Sequence, residues 1–385
     1  MATSQNQRVQ IGSSAIRELT IECRRLNAVN LAQGFPDEDT WPEMKEFAIR
    51  ALRASSHQYT DPRGEPTLRA AIAERSRQTW GAPVDPDRHV VVTCGATEAM
   101  MVCLEALTEP GTAVGFIAPF YENYKLQARL AGLSARYAFL EGADLRLTPS
   151  TLEALAGPGL AALVICNPSN PTGRIYSRNE LELILEFAEE HDILLLCDET
   201  YEHFVWDGVP YCSLLSLPGA EKRCIVVSSF GKTYSATGWR VGHLIAPERF
   251  VAAIAATHDF HTITAPHPFQ LAFRYALTEL GPEFYERVRT EFDRRRKMLG
   301  EALRRSGFTY FTPQGSYFYW CDYRQLSDED DRAFARRMLC EHGVAGLPGS
   351  VFLPDGVRDT KIRFTFSKTR ATLQAACERL CAVGS

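Results

Sequence analysis

The chain has 385 residues, 45% of them hydrophobic and 23% charged, an ordinary make-up for a soluble globular protein and too long for one small core. A formal net charge of -5, with no basic run, argues against a nucleic-acid partner. There is no apolar stretch of about 18 residues that could span a membrane, and the polar opening Met1–Gln7 lacks the apolar core of a signal peptide.

From about residue 90 the sequence alternates short apolar runs with helical patterns. His89–Thr93 predicts a strand, followed by a helix over Ala96–Leu107. Ala113–Ile117 predicts the next strand, with a helix near Tyr124–Ala131. Ala161–Ile165 is another. The helix after it opens on Ser177-Arg178-Asn179-Glu180, a capping-box pattern, and places Leu181, Ile184, Leu185 and Ala188 on one face. Strands over Ile193–Cys197 and Cys224–Val227 follow. Runs that are apolar throughout and alternate with helices imply an α/β fold, with a mostly parallel sheet sandwiched by helices. After a long charged helix, Phe284–Arg305, the pattern changes to Tyr317–Trp320, a helix over Asp331–His342 and a closing strand, Lys361–Phe366. This reads as a smaller α+β domain. The division expected is 31–285 for the large domain and 286–385 for the small one, completed by residues 1–30.

Eleven cysteines are scattered without a C-x-x-C pair, and Cys94, Cys166, Cys197 and Cys224 sit in apolar runs. Buried, reduced thiols in a cytoplasmic protein are expected rather than a disulfide framework. His258, His261 and His267 mimic a metal cluster. No carboxylate or cysteine lies at a metal-site spacing nearby, and Pro266 and Pro268 interrupt a helix, so a loop lining a cleft is expected there.

Open α/β sheets bind ligands at the carboxyl ends of their strands, and that is where the reactive residues fall. Lys232 follows the run Cys224–Val227 and lies among small and hydroxyl side chains, in Ser228-Ser229-Phe230-Gly231-Lys232-Thr233-Tyr234. Such a lysine is open to a carbonyl compound and can form a Schiff base. Ser229 and Arg240 bracket it with groups suited to a phosphate. Aldehyde at one end and phosphate at the other describe pyridoxal phosphate. Gly95-Ala96-Thr97-Glu98 joins a strand to a helix, whose free amides suit a phosphate or simply begin a helix. Asp198 ends an apolar strand. It is either a helix cap or the ion-pair partner of the cofactor's ring nitrogen.

Five segments resemble, in order, those of fold-type-I pyridoxal-phosphate enzymes of the class I/II aminotransferase family. They are Asn30–Asp37, Asn167–Gly173, Asp198–Tyr201, Ser228–Arg240 and Ile362–Phe364. The branch with kynurenine, glutamine and methionine aminotransferases is the most similar. The resemblance implies that Lys232 carries the cofactor, with Asp198 on its ring nitrogen and Tyr201 and Asn170 on its 3′-oxygen. Tyr121 would stack on the ring, with Ala96, Thr97, Ser229 and Arg240 around the phosphate. Arg363 would grip the substrate α-carboxylate, helped by Asn170 and by the backbone at Gly34. The segment His57–Gly64 resembles the one whose tyrosine, here Tyr59, reaches the phosphate of a neighbouring subunit. A homodimer with shared sites is thereby implied, and Thr264 would also reach across.

The chain departs from the family pattern at Gly231, where serine or alanine is usual, and at Arg63. Arg63 either meets the far end of the neighbour's substrate or faces outward. The activity implied is transfer of an amino group between an L-amino acid and a 2-keto acid. The same chemistry would also serve β- or γ-elimination, replacement or ring closure. A non-catalytic amino-acid sensor fused to DNA-binding elements is disfavoured, because the region before Gln33 is too short for a helix-turn-helix domain.

Overall fold

The computed structural model describes residues 15–54 and 56–383, so the Met1–Gln7 segment lies outside the described residues. Its strands, in chain order, are β1 (Val29–Asn30), β2 (Val90–Thr93), β3 (Ala113–Ala118), β4 (Ser134–Phe139), β5 (Leu160–Cys166), β6 (Leu194–Asp198), β7 (Cys224–Ser229), β8 (Gly242–Ile245), β9 (Thr309–Tyr310), β10 (Phe318–Asp322), β11 (Val344–Ala345), β12 (Leu347–Pro348) and β13 (Lys361–Thr365).

Seven of these strands form one sheet, in the order β2-β8-β7-β6-β5-β3-β4. All its pairings are parallel except those of β8, which runs against both β2 and β7. Its strands are apolar throughout because both faces are covered. Along β5, Ala162, Val164 and Cys166 enter one apolar cluster, while Leu163 and Ile165 enter the other. β7 does the same, with Ile225 and Val227 on one side and Cys224 and Val226 on the other. The period of two is therefore hidden from a hydropathy reading.

Helices Ala96–Leu107, Glu122–Leu130 and Arg178–Glu190 cross between strands. The last carries the expected capping box. Ser177 accepts from the Glu180 amide, and the Glu180 carboxylate takes the Ser177 N–H at 2.9 Å. A four-stranded antiparallel sheet, β12-β13-β10-β9, forms the core of a smaller domain with helices Asp331–His342 and Arg370–Cys381. β1 pairs with β11, and Leu31 then bridges to both Ala345 and Thr365 through its backbone. Arg363 is on β13 and Phe318 on β10, so this sheet brings its own side chains to the mouth of the large one.

The histidine segment differs from expectation. His258 and His261 lie in helix Glu248–Thr262, and His267 opens helix His267–Glu279. Only 263–266 is loop. Pro268 falls in the first turn of a helix, where the missing N–H costs nothing. A carboxylate partner does exist across the fold, since Glu98 lies 3.0 Å from His258 Nδ1. Among the described residues no cluster could hold a metal, and no helix is long and apolar enough to cross a membrane.

Candidate active site

The register across the sheet decides where the site forms. Thr93, Gly242 and Ser229 stand side by side, so the carboxyl ends of β2 and β7 meet the amino end of β8. A cavity of about 280 Å³ opens there, closed on the far side by Arg363 and Phe318.

One end of the cavity is built for an anion. Gly95 precedes helix Ala96–Leu107 with φ 84° and has no side chain to cap it, which leaves the first-turn amides uncapped where Ala96 and Thr97 line the cavity. The Gly95 turn is braced from behind, because Glu98 accepts from the Cys94 amide and, through its other oxygen, pairs with His258 and Thr262. Arg240 arches over this turn with φ 54°. It donates to the carbonyls of Thr237 and Cys94, each at 3.0 Å. A Cβ on Gly95 would lie 2.5 Å from the Arg240 guanidinium. Gly95→Ala is therefore expected to displace Arg240 and, because φ and ψ there suit only glycine, to cost about 1–3 kcal/mol of stability. Cofactor titration of the apoprotein should show affinity down about tenfold or more, beside a lower melting temperature.

At the centre, Asp198 is buried at the end of β6. One carboxylate oxygen accepts from Tyr124 Oη at 2.6 Å and the other from the Thr200 amide at 3.0 Å. Tyr124 was not legible as a site residue, although it lies one helical turn beyond Tyr121 and the rings meet edge to face at 5.4 Å. Burial pushes the Tyr121 hydroxyl up to about 12 and that of Tyr201 well above its ordinary value. Lys232 lies opposite Asp198. Its Nζ donates to the Gly34 carbonyl at 3.3 Å, and desolvation brings its pKa down to about 8 against the pull of Asp198.

At the other end, Arg363 is 1% exposed. It donates to Asn170 Oδ1 and to the Ala32 carbonyl, each at 2.6 Å, and lies 4.1 Å above the Phe318 ring. Burial lowers its pKa to about 10. Its Nε is buried without a partner among the described residues, as is Thr200 Oγ1. Gly34 is needed here because a Cβ would sit 2.6 Å from the Phe318 ring. Tyr317, another residue without a sequence signal, fixes the Gly34 carbonyl by a 2.9 Å hydrogen bond.

Gly34, Ala96, Thr97, Tyr121, Asn170 and Asp198 thus share one cavity with Tyr201, Ser229, Lys232, Arg240 and Arg363. Tyr59 stands apart. It is 75% exposed and lines a separate hollow with Thr264. At Gly231 a Cβ would fall 2.9 Å from Thr237 Cα, so the close approach of that backbone calls for glycine. Within this chain Arg63 places its guanidinium on the Asp61 carboxylate and the Asp87 carbonyl.

The residues present suit pyridoxal phosphate: a lysine of lowered basicity at the base, a buried carboxylate opposite, an anion cradle of uncapped helix amides with Ser229 and Arg240 at one end and a buried guanidinium with an unused donor at the other. Residues 27–380 match the family model described as aminotransferase class I and II. Methionine aminotransferase of Escherichia coli (strain K12) is 32% identical over 96% of this chain and 96% of its own. A probable N-succinyldiaminopimelate aminotransferase, DapC, of Mycobacterium tuberculosis (strain CDC 1551 / Oshkosh) is 33% identical, covering 96% and 95%. The solved structure of YbdL from Escherichia coli, assigned a methionine aminotransferase function, superposes with a TM-score of 0.93 at 31% identity over 99% of this chain and 100% of that one. The chain belongs to the class I and II aminotransferase family. It is a pyridoxal-phosphate-dependent aminotransferase with the fold-type-I architecture.

Proposed function

We propose that the enzyme transaminates an L-amino acid whose side chain carries no carboxylate. The observation that carries this reading is the charge inventory of the cavity. Among the described residues its cationic lining is Lys232, Arg240 and Arg363. Arg240 lies at the anion cradle, Lys232 holds the cofactor aldehyde, and Arg363 with Asn170 holds the substrate α-carboxylate. Among the described residues of this chain, no cation in the cavity remains for a second acid group. Beyond Arg363 the wall offers Ile16, Phe35 and Phe318. A second carboxylate brought there without a partner would lose its hydration for nothing.

When bound, the cofactor supplies an electron sink that allows the substrate Cα–H to be lost as a proton. Asp198, steadied by Tyr124 and the Thr200 amide, would pair with the ring nitrogen. Tyr201 and Asn170 would donate to the 3′-oxygen, and Tyr121 would lie against the ring. The Gly34 backbone, placed by Tyr317, borders the substrate. Burial brings the Lys232 amine near enough to neutrality at physiological pH that it would serve as the base for the substrate Cα proton.

The test is a panel of amino acids with a common 2-keto acid. Methionine or phenylalanine should exceed aspartate and glutamate in kcat/KM by about tenfold or more, roughly 1.4 kcal/mol. A preference for aspartate would remove the reading.

A homodimer with shared sites belongs to the same proposal, with Tyr59 reaching the neighbour's phosphate. Its support is the surface around that residue. Phe260 is 92% exposed and Ile263 42%, and Ile263 holds φ 66° beside Thr264, a strained setting for a β-branched residue. We also assign residues 31–285 to the cofactor-binding domain, and residues 1–30 with 286–385 to the smaller one, on the strength of the β1–β11 pairing. A cytoplasmic location fits eleven free cysteines, most of them buried or half-buried.

A further inference from the structure

The turns that carry Tyr201 and Lys232 leave neighbouring strands, β6 and β7, and one side chain ties them together from behind. His203 Nδ1 lies 3.1 Å from Oγ1 of Thr233, the residue after Lys232. Its Nε2 lies 2.7 Å from Nη2 of Arg75, in helix Pro66–Trp80. A guanidinium can only donate. Nε2 must therefore accept, which puts the ring proton on Nδ1, aimed at the Thr233 hydroxyl.

The surroundings hold this arrangement. Desolvation, then the charges of Arg75 and Arg289, keep His203 well below its ordinary pKa, so the ring stays neutral. Arg75 lies 4.4 Å above the Tyr285 ring, with Glu202 as the opposite charge beside it. Tyr285 stacks on His203 at 5.0 Å and 17°, and its hydroxyl meets that of Tyr234 at 2.8 Å. The cluster borders a second cavity of about 40 Å³ that shares only Ser229 with the active site, so His203 does not touch the substrate space.

We propose that His203 is a positioning residue for transamination: its Nδ1–H, aimed by Arg75, fastens Thr233 and so sets how Lys232 stands against Tyr201. Lys232 Nζ is 6.0 Å from the Tyr201 ring centroid, and a small rotation of the Lys232–Thr233 turn changes that approach directly. The role rests on Lys232 as the cofactor-bearing lysine.

The experiment is an absorbance titration of purified holoenzyme, following the visible band of the lysine-bound cofactor against pH, with melting temperatures alongside. His203→Phe keeps the ring on Tyr285 and loses both nitrogen contacts. His203→Asn keeps an N–H for Thr233. Thr233→Val removes the acceptor at nearly constant volume. The band's midpoint should move by about half a pH unit or more in His203→Phe and Thr233→Val, and return towards wild type in His203→Asn. Turnover should fall about tenfold in the first two variants. An unmoved midpoint in Thr233→Val, which decides alone if His203→Phe does not fold, overturns the role, as does a shift in His203→Asn as large as in His203→Phe. Borohydride reduction and peptide mapping of each variant separate the two levels. A label on another lysine defeats the assignment of Lys232, whereas a labelled Lys232 with an unmoved midpoint defeats only the role of His203.

Discussion

Lys232→Ala is expected to abolish both turnover and the visible absorbance of the lysine-bound cofactor. No other amine lines the cavity among the described residues, and no other lysine lies between the Asp198 carboxylate and the Gly34 backbone. The variant should still take up the cofactor weakly, because the anion cradle at Gly95, Ser229 and Arg240 is left intact. In the unaltered protein, borohydride should fix the cofactor to Lys232 alone. The rate at which the apoprotein captures cofactor should rise with pH and level off above about 8, since the neutral amine is the nucleophile and burial lowers its pKa to about that value. A label on any other lysine, or a rise that continues towards pH 10, contradicts this reading.

Asp198→Ala should be nearly as damaging. Its two oxygens already hold Tyr124 and the Thr200 amide, so on the role proposed above the side chain would meet the ring nitrogen in a fixed orientation. Without it the nitrogen has no partner, and the charge that develops when Cα loses its proton has nowhere favourable to go. A loss on the order of 10³-fold in kcat, about 4 kcal/mol of barrier, is expected in single-turnover measurements. Lys232 should still become labelled, which separates lost chemistry from lost binding. Near-normal turnover in this variant would exclude the role.

What could be read in the sequence follows from how locally each feature is determined. The buried strands β3, β5, β6 and β7 announce themselves as unbroken apolar runs, and Ser177–Glu180 marks its helix by a contact within one turn. β8 does not. It is four residues long, contains a glycine and a histidine, and belongs to the sheet only because β2 and β7 leave a gap for an antiparallel strand. β4 is half-exposed along its edge and shows no clear pattern. Lys232, Asp198 and Arg363 stand out because each is a charge attached to an apolar strand, which is costly without a partner. Tyr124, Tyr317 and His203 are neutral or ordinary in composition. Their contacts depend on which way a helix or turn faces after folding, and spacing along the chain does not contain that information.

Gly95 and Gly242 touch at the end of β2 and β8. A Cβ on Gly242 would meet the Gly95 carbonyl carbon at 2.6 Å and the Ala96 nitrogen at 2.7 Å. Main chain rests on main chain there, with nothing adjustable between. The opposite end of the cavity is walled in part by the side chains of Ile16 and Phe35, which can be exchanged for other shapes. Inheritance of new substrates by such a scaffold is therefore one-sided: the turn beneath the anion cradle is cast in backbone and stays as it is, while the far wall is more open to revision.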